Sequence, residues 1–186
     1  MVRPSRIKAA MSVMALAVAC LIAASGEVRA EMTIKNLQVA ARSLGFLTGR
    51  DIAGLRVAII YASDIEASKK EAEALVALLG STFNAGRVTL IPVSPSTVPT
   101  TKLSSLDHED VAFVTDNLKP WYGAIAEEAR ARHIVTVTSD LDCVINGACV
   151  LGVQAEPRVQ VLINRAAAVQ SAIEFAPGFR MLVTEL

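Results

Sequence analysis

Between Thr33 and Leu47, apolar side chains at Ile34, Leu37, Val39 to Ala41, Leu44 and Leu47 recur every three or four positions, which predicts an amphipathic helix closing near Gly49. The period then changes. Leu55 to Ala62 is an apolar run rich in branched residues, the pattern of a strand covered on both faces. Ser63-Asp64-Ile65-Glu66 has the spacing of a capping box, and helical periodicity continues to Leu79, with Gly80 as the stop. Val88 to Val93 predicts the next strand, whose end Pro92 confines to an edge or a bulge because proline has no N–H for the ladder. Ser94 to Asp110 reads as a long polar connection interrupted by a turn of helix around Lys102 to Leu106. Val111 to Val114 predicts a strand, Pro120 opens a helix through Arg132, and Ile134 to Val137 predicts a further buried strand.

Strands alternating with helices predict a parallel sheet with helices packed on it. The C-terminal part differs. Val150 to Gln154 and Arg158 to Ile163 flank Ala155-Glu156-Pro157 as an antiparallel hairpin, Asn164 caps an alanine-rich helix to Ser171, and Phe175 to Leu186 packs back as the last element. The expected fold class is α/β: one three-layer-like domain over residues 31 to 186, mainly parallel, with an antiparallel C-terminal hairpin.

The N-terminus carries Arg3, Arg6 and Lys8 without an acid, and an apolar run from Ala9 to Ala24 follows. That run is shorter than the roughly 20 residues of a spanning helix, and Val28-Arg29-Ala30 offers small residues at the two positions a signal peptidase reads. A signal peptide over residues 1 to 30, cleaved after Ala30, is therefore expected, with export to the periplasm. Cys20 is a poor lipidation site because Ala17-Val18-Ala19 is not a lipobox and apolar residues continue beyond it. Without the leader the chain has a net charge of about −3, which courts neither nucleic acid nor an anionic membrane.

Cys143 and Cys149 are the two cysteines a processed chain keeps. In an oxidising compartment thiols at suitable separation form disulfides. A zinc site needs two more ligands than this pair supplies, and the spacing is not the Cys-x-x-Cys of a thioredoxin-type catalyst, so neither metal nor cofactor is expected. Asn146-Gly147 is a hairpin signal. A three-residue loop Ile145-Asn146-Gly147 would set Cys143 opposite Cys149 across two strands, at bridging distance.

Candidate chemistry gathers where the strands end, at Ser63-Asp64, Ser94-Pro95-Ser96, Thr115-Asp116-Asn117 and Thr138-Ser139-Asp140. Ligands of open α/β sheets bind outside the strand carboxyl ends, so Ser63, Asp64, Thr115, Asp116 and Ser139 are candidate ligand-binding residues, with helix capping as the competing use. No phosphate loop, nucleophile elbow or His-Glu-x-x-His motif is present, and an enzyme is not expected. Asp107-His108-Glu109-Asp110 reads as a solvated acidic loop, and His133 suits the C-terminus of a helix dipole. Trp121 and Tyr122 open a helix, with at least one expected in the core.

The stretch from Val137 through Cys143 and Cys149 to Val153, followed by Arg158 to Ile163, Ile163-Asn164 with Ala167-Ala168, and Phe179 to Val183, resembles the YfiR-like family of periplasmic proteins. The resemblance implies a non-enzymatic regulator that binds and represses the sensor domain of an inner-membrane diguanylate cyclase, in cyclic-di-GMP signalling, with Cys143 and Cys149 as a structural disulfide. The second cysteine pair of that family and its aromatic-rich start are absent here. An inner-membrane sensor protein is thus the expected partner, nucleic acid is not, and a homodimer is compatible with the same reading. A periplasmic small-molecule sensor, similar to one lobe of an ABC-transporter solute-binding protein, is the alternative.

Overall fold

The computed structural model describes residues 31 to 186. The expected leader and Cys20 lie outside the described residues. The elements, in chain order, are α1 (Ile34–Leu44), β1 (Leu55–Tyr61), α2 (Glu66–Leu79), β2 (Phe83–Ala85), β3 (Val88–Pro99), β4 (Val111–Val114), α3 (Tyr122–Arg132), β5 (Val135–Thr138), α4 (Leu141–Ile145), β6 (Leu151–Gln154), β7 (Gln160–Ile163), α5 (Arg165–Gln170), α6 (Pro177–Arg180) and β8 (Thr184–Glu185). The strands form one sheet in the order β2-β3-β1-β4-β5-β6-β7-β8. The five strands β3, β1, β4, β5 and β6 are parallel, β6 and β7 form the antiparallel C-terminal hairpin, and β8 returns parallel to β7. The fold is α/β, as the alternation of patterns predicts.

Period-two alternation in fully buried strands divides the core in two. Val57, Ile59, Val111 and Phe113 point to one face, where Leu37, Leu44, Leu75 and Leu79 of α1 and α2 cover them. Ala58, Ile60, Ala112 and Val114 point to the other, against Leu103, Leu106, Ile125 and Ala129. Ala167, Phe175 and Phe179 extend the first cluster at the C-terminal end, where the Phe46 and Phe179 rings stack with centroids 4.5 Å apart. Among the described residues, no helix is long and apolar enough to cross a membrane.

Several boundaries differ from the sequence expectation. The first helix ends at Leu44 rather than running toward Gly49: Gly45 N–H already reaches back to Ala41 and Arg42, and Leu47 instead bridges to Phe175. Ser63 does not cap α2, whose N-cap is Ile65 without a side-chain bond. The polar stretch from Ser94 is largely strand, since β3 runs on to Pro99 after a register shift in which Val57 pairs with Pro92 but Ile59 pairs with Thr97. The bulge expected at Pro92 is there. β2, which adds an antiparallel edge to β3, has no counterpart in the hydrophobic pattern, being three residues long.

The largest departure is at the cysteines. Residues 143 to 149 form no hairpin. Asp140 accepts a hydrogen bond from Asp142 N–H and starts the short helix α4, which carries Cys143, and Gly147 takes a left-handed φ of 73° to end it. Cys143 carbonyl oxygen accepts from both Ala148 and Cys149 N–H at 3.0 Å, so the two cysteines meet across a helix end, at a Cα separation of 5.2 Å, and are disulfide-bonded. β6 lies beside β5 in parallel, and a helical crossover is the connection parallel neighbours need.

Candidate functional site

The chain adds β3 on one side of β1, then crosses over to add β4 on the other. The connections that follow β1 and β4 therefore leave on opposite faces of the sheet, α2 over one core cluster and α3 over the other. Between the carboxyl ends of β1 and β4 this leaves a crevice, the place where open α/β sheets bind ligands. A cavity of about 200 Å³ lies there, lined by Glu31, Ala67, Lys70, Glu71, Asp116 and Asn117.

Glu71, on α2, joins the parts of this crevice. Its side chain is buried, with Oε1 accepting from Met32 N–H at 2.9 Å and Oε2 from Asp116 N–H at 2.7 Å. The segment before α1 and the loop after β4 are thereby tied to one helix. Burial pushes the Glu71 carboxyl up to about 7; the two backbone donors pull it down, and the neighbouring carboxylates of Asp116 and Glu31 push it up. Lys70 stands beside it, exposed and 3.7 Å from Glu66. Asn117 adopts a left-handed φ of 66°, a conformation asparagine tolerates better than most residues, and its N–H donates to Asp116 Oδ1 at 2.7 Å.

Behind the crevice a chain of hydroxyls closes the strand ends. Ala62 N–H donates to Ser68 Oγ at 2.9 Å, the Ser68 and Thr115 hydroxyl oxygens are 2.6 Å apart, and Thr115 Oγ1 donates to Ile60 carbonyl oxygen at 3.1 Å. Ser68 and Thr115 are both buried. The five sequence candidates therefore separate. Asp116 lines the cavity, Ser63 and Asp64 are exposed on the loop after β1, and Thr115 is consumed in the hydroxyl chain. Ser139 is fully buried beside Asp140 and carries interactions of its own. Ser94 to Ser96 sit inside β3 and not at its end, because the bulge carries the strand past them.

Glu71 and Lys70 were not singled out by sequence, and Asn117 was named only within the strand end Thr115-Asp116-Asn117 and not among the five ligand-binding candidates. A Glu inside an amphipathic helix looks like surface, and only its placement over the β4 loop buries it. Elsewhere, Tyr122 is nearly buried and donates its hydroxyl to Asp140; burial first, and then that bond, raise the phenol above its ordinary range. Trp121 is half-buried. His133 ends α3 with a left-handed φ of 57°, its Nδ1 3.2 Å from Ser171 carbonyl oxygen. In the acidic loop, Glu109 accepts from Asp107 and His108 N–H, and Asp110 accepts from Arg56 N–H at 2.8 Å.

No protein-family model and no curated protein matches the chain. Among solved structures it is similar to an ABC domain in complex with L-Trp from Streptococcus pneumonia, with a TM-score of 0.55 and 13% sequence identity. The match covers 81% of this chain and spans 60% of that one. At this identity the likeness is one of fold: both are built on the same kind of α/β framework.

Proposed function

We propose that the protein is an exported, non-enzymatic binding protein that senses a small polar metabolite at the crevice between β1 and β4. The observation that supports this reading is the cavity outside the strand ends at the point where the sheet order reverses, with Asp116, Asn117 and Lys70 on its wall and buried Glu71 as its floor. Its volume of about 200 Å³ suits a molecule no larger than an amino acid. Carboxylates and an ammonium on one wall can address both ends of a zwitterion. A structurally similar domain described as bound to L-Trp supports the same class of ligand.

A thermal-shift screen over amino acids and related small metabolites tests it. A ligand present at about 100 times its dissociation constant adds roughly 2.7 kcal/mol to the folded state, and Asp116→Ala is expected to abolish the shift without unfolding the protein. A broad set that gives no shift would remove the reading.

A second reading, in which the protein docks on and represses an inner-membrane diguanylate cyclase, draws support from the other end of the sheet. Met181 and Leu182 are 86% and 81% exposed just before the edge strand β8, and Val169 is 70% exposed on α5. Recovery of a membrane partner with the wild-type protein, and its loss with Met181→Asp/Leu182→Asp, is the expected result. Unchanged recovery would exclude this surface.

A further inference from the structure

Residue 31 opens the described chain beside an acidic crevice. Met32 N–H donates to Glu71 Oε1 at 2.9 Å, and Met32 itself is 2% exposed. Glu31 carbonyl oxygen accepts from Asn36 Nδ2 at 3.1 Å, and Asn36 Oδ1 accepts in turn from Ala155 N–H at 2.8 Å. Residue 31 is thus anchored both to α1 and, through Met32, to α2. Consecutive backbone nitrogens are at most about 3.7 Å apart, so the nitrogen of Glu31 lies within about 6.6 Å of Glu71 Oε1.

We propose that hydrolysis of the Ala30–Glu31 peptide bond installs an α-ammonium in this crevice, where it forms an internal ion pair with Glu71 and latches the start of α1 to α2 and the β4 loop. The proposal rests on the export reading, in which the leader ends at Ala30. Water adds across the amide in a leader peptidase: its hydroxyl goes to the Ala30 carbonyl carbon, which departs with the leader as a carboxylate, and the Glu31 nitrogen leaves with the protons of an ammonium. No oxidant or reductant is needed.

The groups facing Glu71 make such a cation welcome. Glu31 and Asp116 are acids, and Lys70 reaches outward to Glu66 on its own helix. While residue 31 is an amide, Glu71 has two neighbouring acids and two N–H donors around a buried carboxyl. An ammonium within this distance favours the carboxylate. Cleavage would therefore convert a carboxyl poised between its two forms into an ionised, paired one, adding an ion pair to the hydrogen bonds that already hold this segment.

The test uses protein exported with its own leader and purified from the cell envelope. Mass spectrometry establishes the first residue, and reductive ¹³C-methylation of the amines allows the α-amine to be titrated by NMR in the folded state and in urea. The expected result is a chain beginning at Glu31 whose folded α-amine is at least about tenfold less acidic than in urea, where it should titrate at about 7.7 to 8.0. Glu71→Gln should restore the urea value in folded protein; the wild-type titration decides the matter even if that variant does not fold. An α-amine of equal acidity folded and unfolded, or an envelope form starting elsewhere, would overturn the proposal. Neither outcome would touch a ligand shift found in the metabolite screen.

Discussion

Breaking the disulfide between Cys143 and Cys149 isolates what a short covalent loop contributes when hydrogen bonds already close it. In the folded protein the segment is held without the sulfurs: Ala148 and Cys149 N–H both donate to Cys143 carbonyl oxygen, Gly147 N–H donates to Val144, and Asn164 Nδ2 donates to Val144 carbonyl oxygen at 2.8 Å. Reduction should therefore leave the native geometry in place and act on the unfolded chain, which gains freedom. Closing a seven-residue loop is worth about 2.4 kcal/mol on the chain-entropy relation. For a chain of this size that corresponds to a lowering of the melting temperature by about 5 to 10 °C. Both sulfurs are buried, so the protein should be reduced in denaturant and refolded with reductant present. Urea unfolding followed by the fluorescence of Trp121, the single tryptophan, then gives the two midpoints. The expected outcome is a lower midpoint with a nearly unchanged slope, because a loop of seven residues hides only a small part of the surface exposed on unfolding. Equal midpoints would refute the entropic argument. A reduced protein that no longer folds would show that the helix end depends on the bond itself. Cys143→Ala/Cys149→Ala should cost more than reduction, since it also leaves a cavity in the core.

Three further outcomes follow from the packing. Gly152→Ala is expected to destabilise by about 1 to 3 kcal/mol, because an added Cβ would sit 2.8 Å from Val144 Cγ2 and 2.9 Å from Leu141 Cδ2; denaturant titration reads it. Asn164→Ala removes both the cap to Ala167 N–H and the bond to Val144, and should cost about 2 to 3 kcal/mol in the same assay. With residue 31 still joined to residue 30, Glu71 is raised from its ordinary 4.5 to about 7 by burial. The folded state then holds its proton longer than the unfolded one, so this support is complete below about pH 4.5 and is lost as the pH rises to about 7, a total of about 3 kcal/mol. Unfolding midpoints between pH 4.5 and 8 check the slope, which Glu71→Gln should flatten; Glu31, Lys70 and Asp116 are the charged groups facing Glu71, and each stays unchanged in that variant.

Much of the framework was legible in the chain. Leu55 to Ala62, charged only at Arg56, and Val111 to Val114 are almost wholly apolar, which only a strand covered on both faces can use, and four strand segments alternating with helical patterns define a parallel sheet. The hairpin of β6 and β7, the Asn164 cap and the Gly80 stop were equally local, because each depends on a turn or a cap a few residues long. The pairing of Cys143 with Cys149 followed from compartment chemistry and separation. The local shape that brings them together did not: Asn-Gly serves a hairpin loop and a helix end equally well, and the choice fell to α4 because β6 pairs in parallel with β5.

Tertiary structure alone decided the crevice. Hydrophobic pattern orders elements along the chain but carries no information on which neighbour a strand takes, so the reversal between β1 and β4, and with it the place where two loops part, is a property of the assembled sheet. The same holds for Glu71. Its sequence neighbours make it a polar residue on a helix, while the loop after β4 and the segment at Met32 before α1, 45 and 39 residues away in sequence, close over it and turn a surface acid into a buried one. Long-range burial sets the energy of a charge, and burial is a consequence of how distant segments meet.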